Sequence, residues 1–301
     1  MIVGGIPMLF GGVSPQVYGA GSAIFGYGNG PSSLTNLVSN TGVVSANVAG
    51  VGTARSSLAA AKYSTDKAIF GYGEAPLVSL TNLVSNTGVV GADVTGVGTA
   101  RSSLAAAGYG TDKAIFGYGE DAVANTAITN LVSNTGVVAA NVTGVGTARR
   151  GLAAAGYGTD KAIFGYGLTT GNVSMTNLVS NTGVVAGDVT GVGTARRRPA
   201  AARYGTDKAI FGYGTTGTVS SLTNLVSNTG VVATDVAGVG TARAALAAAG
   251  YGTDKAIFGY GADTAVVIAL TNLVSNTGVV SADVAGVGTA NENRAAASFG
   301  G

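Results

Sequence analysis

The sequence predicts an all-β chain, a single β-propeller of six blades. Three observations lead there. A unit of about 47 residues recurs six times, each unit reads as short strands divided by glycine turns, and the two chain ends carry complementary parts of one unit.

The repeat is explicit. The string AIFGYG starts at residues 23, 68, 114, 162, 209 and 256, at spacings of 45, 46, 48, 47 and 47. TNLVSNTGVV starts at 35, 81, 129, 176, 223 and 271, and LAAAGYG or a variant of it at 58, 104, 152, 199, 246 and 294. KAIFGYG is an apolar, aromatic run of the kind that forms a buried strand. GYGTDKA ahead of it supplies Gly, Thr and Asp for a turn. In TNLVSNTGVV, Leu-Val and Val-Val flank Asn-Thr-Gly, which predicts a tight hairpin with glycine at φ > 0. GVGTAR then leads into the small-residue strand LAAAGYG, giving four short strands per unit. LAAAG is helix-like in composition but too short between glycines to hold a helix.

Four strands in a repeat of roughly 40–50 residues is a propeller pattern. A blade cannot bury its own faces, so its neighbours must cover them. The small residues of LAAAGYG suit the innermost strand, where a side chain larger than Ala would clash or widen the channel. The first unit begins at AIFGYG with only VYGAG before it, and the last ends at RAAASFGG with no AIFGYG after it. Joining the two ends completes one blade, closes the ring and leaves no open edge. Counting IPMLFGG as a degenerate AIFGYG would give seven blades. The expected organisation is an N-terminal arm at 1–20 followed by the propeller at 21–301. The apolar start, MIVGGIPMLFGGV, is too short and too rich in glycine to span a membrane. No Lys or Arg precedes it as in a signal peptide, and the first charge is Arg55.

Composition narrows the function. The chain has 16 Lys+Arg and 14 Asp+Glu, a net charge of +2 that points to no nucleic acid or anionic membrane. It has no Cys, His or Trp. That removes disulfides, thiolate metal sites, Ser-His-Asp catalysis and nearly all zinc sites. No enzymatic activity, metal or cofactor is expected.

The candidate sites come from the repeat. Between GYG and TNL the units read NGPSSL, EAPLVSL, EDAVANTAI, LTTGNVSM, TTGTVSSL and ADTAVVIAL, and variation concentrates there. In a propeller these loops share one face, where binding usually sits. The candidate binding residues are Asn29, Glu74, Glu120, Asp121, Asn125, Thr169, Thr170, Asn172, Thr215, Thr216 and Asp263, with the acids making the ring locally negative. Arg55, Arg101, Arg149, Arg196 and Arg243 recur at one position, and the expectation is structural: a guanidinium satisfying several backbone carbonyls between blades. The sixth unit has Asn291 there, with Arg294 three residues on. Arg196, Arg197, Arg198 and Arg203 make one unit basic and form a candidate partner contact. Asp66-Lys67 and its four equivalents read as turn chemistry. Asp93, Asp188, Asp235 and Asp283, with Asn47 and Asn141 in the same place, give one oxygen ligand set per unit, too few for calcium.

The order of elements resembles the kelch repeat, in which an Arg precedes a small apolar strand and a strand ending in a glycine doublet follows. The five recurring arginines and the segments ending at Gly73, Gly119, Gly167, Gly214 and Gly261 carry the resemblance. The pattern departs from kelch in its GYG doublet, in Val where the family has Trp, and in the absence of the third-strand Tyr. IFGYG-type strands joined by TNLVSNTG-like segments are also similar to repeat proteins of tailed bacteriophages and other viruses of aquatic microbes. That resemblance implies a virion component, tail- or fibre-associated, that docks on other virion subunits and meets a host-surface glycan or protein. A capsid or tail decoration module and a cellular sugar-binding lectin or scaffold are the alternatives, and a homo-oligomer is left open.

Overall fold

The computed structural model describes residues 18–301. The expected arm at 1–20, apart from residues 18–20, and the IPMLFGG string lie outside the described residues.

Each unit contributes three strands, and the eighteen strands form six antiparallel three-stranded sheets. Sheet I draws on both ends of the chain. Ser22–Gly28 (β1) pairs with Ser32–Val38 (β2) on one side and with Ala295–Phe299 (β18) on the other. Sheet II holds Ala59–Tyr63 (β3), Lys67–Gly71 (β4) and Thr81–Val84 (β5). Sheet III holds Ala105–Tyr109 (β6), Lys113–Gly117 (β7) and Thr129–Val132 (β8). Sheet IV holds Ala153–Tyr157 (β9), Lys161–Leu168 (β10) and Asn172–Val179 (β11). Sheet V holds Ala200–Tyr204 (β12), Lys208–Gly212 (β13) and Thr223–Val226 (β14). Sheet VI holds Ala247–Tyr251 (β15), Lys255–Gly259 (β16) and Thr271–Val274 (β17). The KAIFG strand is central in every sheet, flanked by the small-residue strand and TNLV. Among the described residues there is no helix.

The fourth strand expected in each unit is reduced to isolated bridges. In sheet I these are Val44 to Val38 and Val48 to Thr35. A side chain takes over part of the ladder. Asn36 Nδ2 donates to the Ser45 carbonyl at 3.1 Å, and Asn82 Nδ2 donates to the Gly91 carbonyl at 3.0 Å. The hairpin ahead of it forms as the sequence predicts. Gly42 N donates to the Ser39 carbonyl and Ser39 N to the Val43 carbonyl, both at 2.9 Å, with Gly42 at φ +85°. That left-handed corner is where glycine is needed.

The core lies between sheets. Strand residues alternate in direction, so Ile69 faces sheet III while Ala68 and Phe70 face sheet I. Six apolar clusters result, each shared by two neighbouring sheets. Sheet I takes part like the rest, with Phe25 against Tyr260 and Tyr27 against Phe70, both at 5.1 Å between ring centroids. The GYG string serves this contact. Tyr27, Tyr72, Tyr118, Tyr166, Tyr213 and Tyr260 all have φ between 62° and 65°, a backbone strain of about 1–2 kcal/mol each. The twist sends each phenol between sheets, where all six are fully buried.

Backbone hydrogen bonds run from sheet to sheet at the end bearing the variable segments. Ser103 N donates to Ser57 O, Gly151 N to Ser103 O, Arg198 N to Gly151 O, Ala245 N to Arg198 O, Asn293 N to Ala245 O, and Ser57 N to Asn293 O. The circuit returns to Ser57. The six sheets are compatible with a six-bladed, propeller-like repeat.

Candidate functional site

The largest buried polar groups are the recurring arginines, and each joins two sheets. Arg55 is fully buried. Its Nε donates to the Tyr72 carbonyl at 2.7 Å, Nη1 to the Thr53 carbonyl at 3.0 Å and Nη2 to Asn82 Oδ1 at 2.7 Å. The guanidinium carbon stands 4.5 Å over the ring of Tyr27 from the preceding sheet. Arg149, Arg196 and Arg243 repeat all of these contacts, and Arg101 all but the Nε bond. Burial in this setting pushes the Tyr27, Tyr118 and Tyr166 hydroxyls up to about 12, against the opposing pull of the stacked arginine. The buried asparagine and the tyrosine that complete each joint escaped the sequence reading. Their signal was present: TNL and GYG recur in all six units.

The joint between sheets VI and I is rebuilt. Asn291 occupies the arginine position, but Arg294, from the next sheet-lining residue, stacks over Tyr260 at 4.1 Å. It fills the slot without reproducing the fork. Asn36 Oδ1, which would accept from the missing arginine, is buried without a partner, as is Arg294 Nε.

The recurring carboxylates are clamps. Asp93 accepts from Thr53 N at 3.0 Å, Thr53 Oγ1 at 2.6 Å and Asn82 Nδ2 at 2.9 Å. It thereby ties the outer segment of sheet II to the connection arriving from sheet I. Asn47 and Asn141 serve the same joint with the polarity adapted: Asn47 Nδ2 donates to Thr289 Oγ1 at 2.7 Å, and Asn141 Nδ2 to Thr99 Oγ1 at 2.8 Å. Burial raises the pKa values of Asp93, Asp188, Asp235 and Asp283, but the hydrogen bonds and the nearby arginine outweigh it and hold them below the ordinary value. No group of acids able to hold a metal ion occurs among the described residues.

The variable segments cluster at the end that carries the hydrogen-bond circuit. Most of their polar groups are spent locally. Asp121 accepts from Val123 N and Ala124 N, and Asp263 from Ala265 N and Val266 N, which lowers both carboxyl pKa values. Thr169 and Thr216 hydroxyls donate to carbonyls two residues on. Thr215 Oγ1 accepts from Gly217 N. Others reach sideways. Glu74 accepts from Ser57 Oγ at 2.6 Å, Glu120 pairs with Arg150, and Asn29 donates to Glu292. Asn125 and Asn172 donate to the Leu168 and Thr215 carbonyls of the next sheet. Thr170 is exposed at a hairpin tip. The acids of the ring are thus held locally, Asp121 and Asp263 as ionised turn caps and Glu74 by a hydroxyl, and among the described residues Glu120 alone of the four pairs with a cation, Arg150.

The four clustered arginines do not form one patch. Arg196 is a buried joint arginine. Arg197 and Arg198 are exposed at the variable end, beside Arg150 and Glu120. Arg203 sits on β12 at the other end, where it lines a cavity with Lys62. Strand β12 separates them, because consecutive residues in sequence traverse the length of a strand. Each Asp-Lys pair is an adjacent ion pair, 2.8 to 3.2 Å between Nζ and Oδ1. Its Asp carbonyl also accepts from the neighbouring turn, as Asp112 O does from Ser64 N.

In comparisons with known proteins, no family model matches the chain, and no curated protein matches it.

Proposed function

We propose that the six sheets close into a kelch-like six-bladed propeller, and that the chain is a non-enzymatic structural and adhesive protein of a virus particle, tail- or fibre-associated. Closure is supported by the circuit through Ser57 and by β18 packing against both β15 and β3. The adhesive role rests on one observation: sequence variation concentrates in segments that share one end of a largely repeating scaffold. Such loops, held by a rigid frame, suit recognition of a host-surface glycan or protein. The viral setting and the kelch relationship rest on the resemblance of the repeat strings.

The test is binding of the full chain to a glycan array, and attachment of particles bearing it, before and after five variable segments are replaced by NGPSSL. Binding should fall at least tenfold while the melting temperature holds. Unchanged attachment would sink the adhesive reading. A second reading, a purely architectural decoration module, draws on the outer rim, where Val89, Val184, Val231 and Val279 are each 65% exposed. Exposed apolar rows of this kind mark packing surfaces. Burial of these valines against neighbouring subunits would favour it.

A further inference from the structure

The fourth position of each inner strand faces a cavity of about 250 Å3 at the end bearing the Asp-Lys turns. Going round the sheets from I to VI, the residues there are Ser298, Lys62, Gly108, Gly156, Arg203 and Gly250. The small-residue strand implies nothing larger than Ala at the channel. Four positions meet or nearly meet that limit, and the space they leave admits two long cations. Lys62 on β3 and Arg203 on β12 are three sheets apart, and both line the same cavity.

These two cations are partly buried in the lining of one cavity, and the acid near each, Asp66 for Lys62 and Asp207 for Arg203, is not in direct contact with it. Neither takes part in an ion pair or side-chain hydrogen bond among the described residues. The nearby acids are committed: Asp66 pairs with Lys67 at 3.2 Å and Asp207 with Lys208 at 2.8 Å. Lys113 and Lys161 also line the cavity, but each is neutralised by Asp112 or Asp160 at 2.9 Å. Burial, the largest influence, lowers the pKa of both cations, with the acids opposing, and the charge of Arg203 lowers that of Lys62 further. Two like charges in the lining of one partly buried cavity are costly unless an anion joins them. Ser64, Thr111 and Thr159 line the same space, the Ser64 hydroxyl donating to Asp66 Oδ1 at 3.4 Å.

We propose that this cavity binds a small oxyanion carrying two negative charges, with inorganic phosphate as the minimal probe. Arg203 offers a planar fork and Lys62 a point charge from the opposing wall. The site lies at the end away from the variable segments, so it stands or falls separately from the adhesive reading.

The experiment is calorimetric titration of phosphate and sulfate into the full chain at low chloride. Lys62→Ser and Arg203→Ser are the test variants, because Ser298 shows that the strand accepts serine there. Arg197→Ser, at the other end, is the control. The expected result is one site per chain, weakened at least tenfold in each test variant and unchanged in the control, with all variants melting cooperatively. A single site for sulfate but not phosphate would still support a dianion site. Absence of binding in the unaltered chain, or equal affinity in all variants, would overturn the proposal. A folding failure in either serine variant is met by Lys62→Gln and Arg203→Gln, read against the same criteria.

Discussion

At Gly71 a missing side chain lets the next sheet approach. A Cβ built there would lie 2.7 Å from the tip of the Phe116 ring, and the same clash recurs at Gly117 with Phe164 and at Gly165 with Phe211. The residue that follows, Tyr72, is held in a left-handed conformation and edges onto Phe116 at 5.1 Å. The GYG string thus combines a close approach with a bulge that aims a phenol sideways. Gly71→Ala should destabilise the chain by about 1–3 kcal/mol through overpacking. In a double-mutant cycle with Phe116→Leu, the combined cost should fall below the sum of the single costs, because the leucine vacates the contested space. Urea denaturation of the four proteins measures this. Strict additivity would show that the clash is relieved elsewhere.

The unit of cohesion at the next scale is the joint: arginine, tyrosine, asparagine and clamp residue from two neighbouring sheets. Four clamps are Asp and two are Asn, so the geometry tolerates either. Their pH responses differ. Asp93, Asp188, Asp235 and Asp283 have folded pKa values below the ordinary 3.8, since hydrogen bonds and arginine favour the ionised form over the opposing effect of burial. Their contribution to stability is complete above the ordinary value and is lost as pH falls through the folded one. Replacing all four by Asn should leave neutral-pH stability nearly unchanged and flatten the loss of stability in acid. The five Asp residues of the Asp-Lys turns, also lowered, will keep some acid sensitivity. Thermal unfolding from pH 6 to pH 2 (about the carboxylate range) measures the slope. Equal slopes in both proteins would refute the clamp account.

For the whole molecule, stability is distributed over six intersheet cores, each built from the facing surfaces of two sheets. The buried tyrosines report on all of them at once. Tyr27, Tyr118 and Tyr166 are pushed up to about 12, and Tyr72, Tyr213 and Tyr260 are raised as well, with burial the largest cause. A raised folded value means that stability is complete below the ordinary 10.0 and is lost as pH climbs through about 12. Tyr63, Tyr109, Tyr157, Tyr204 and Tyr251 are raised by burial as well. Most of the tyrosinate absorbance should therefore appear above the ordinary value, together with loss of the β-sheet circular dichroism signal. Full ionisation near the ordinary value with the fold intact would contradict the burial of these phenols.

The sequence by itself determined the all-β class, the six-fold division and the sharing of one sheet by β18 and β1. These follow from periodicity, glycine turns and the phase of the ends, all local properties. It also marked the recurring arginines, because a cation repeated at one position in a sparsely charged unit calls for fixed acceptors. Tertiary structure decided what pairwise distance alone can decide. It reduced the fourth strand to bridges, since buried asparagines such as Asn36 and Asn82 take carbonyls that a ladder would use. It put Arg294 in the slot that Asn291 leaves empty, because a side chain three residues on can reach the same ring. It separated Arg203 from Arg197 and Arg198 by the length of a strand, and set it across the cavity from Lys62, a residue 141 positions away in the chain. Repetition encodes what every unit does. The exceptions to it acquire meaning only when six units are brought together and residues remote in sequence share one space.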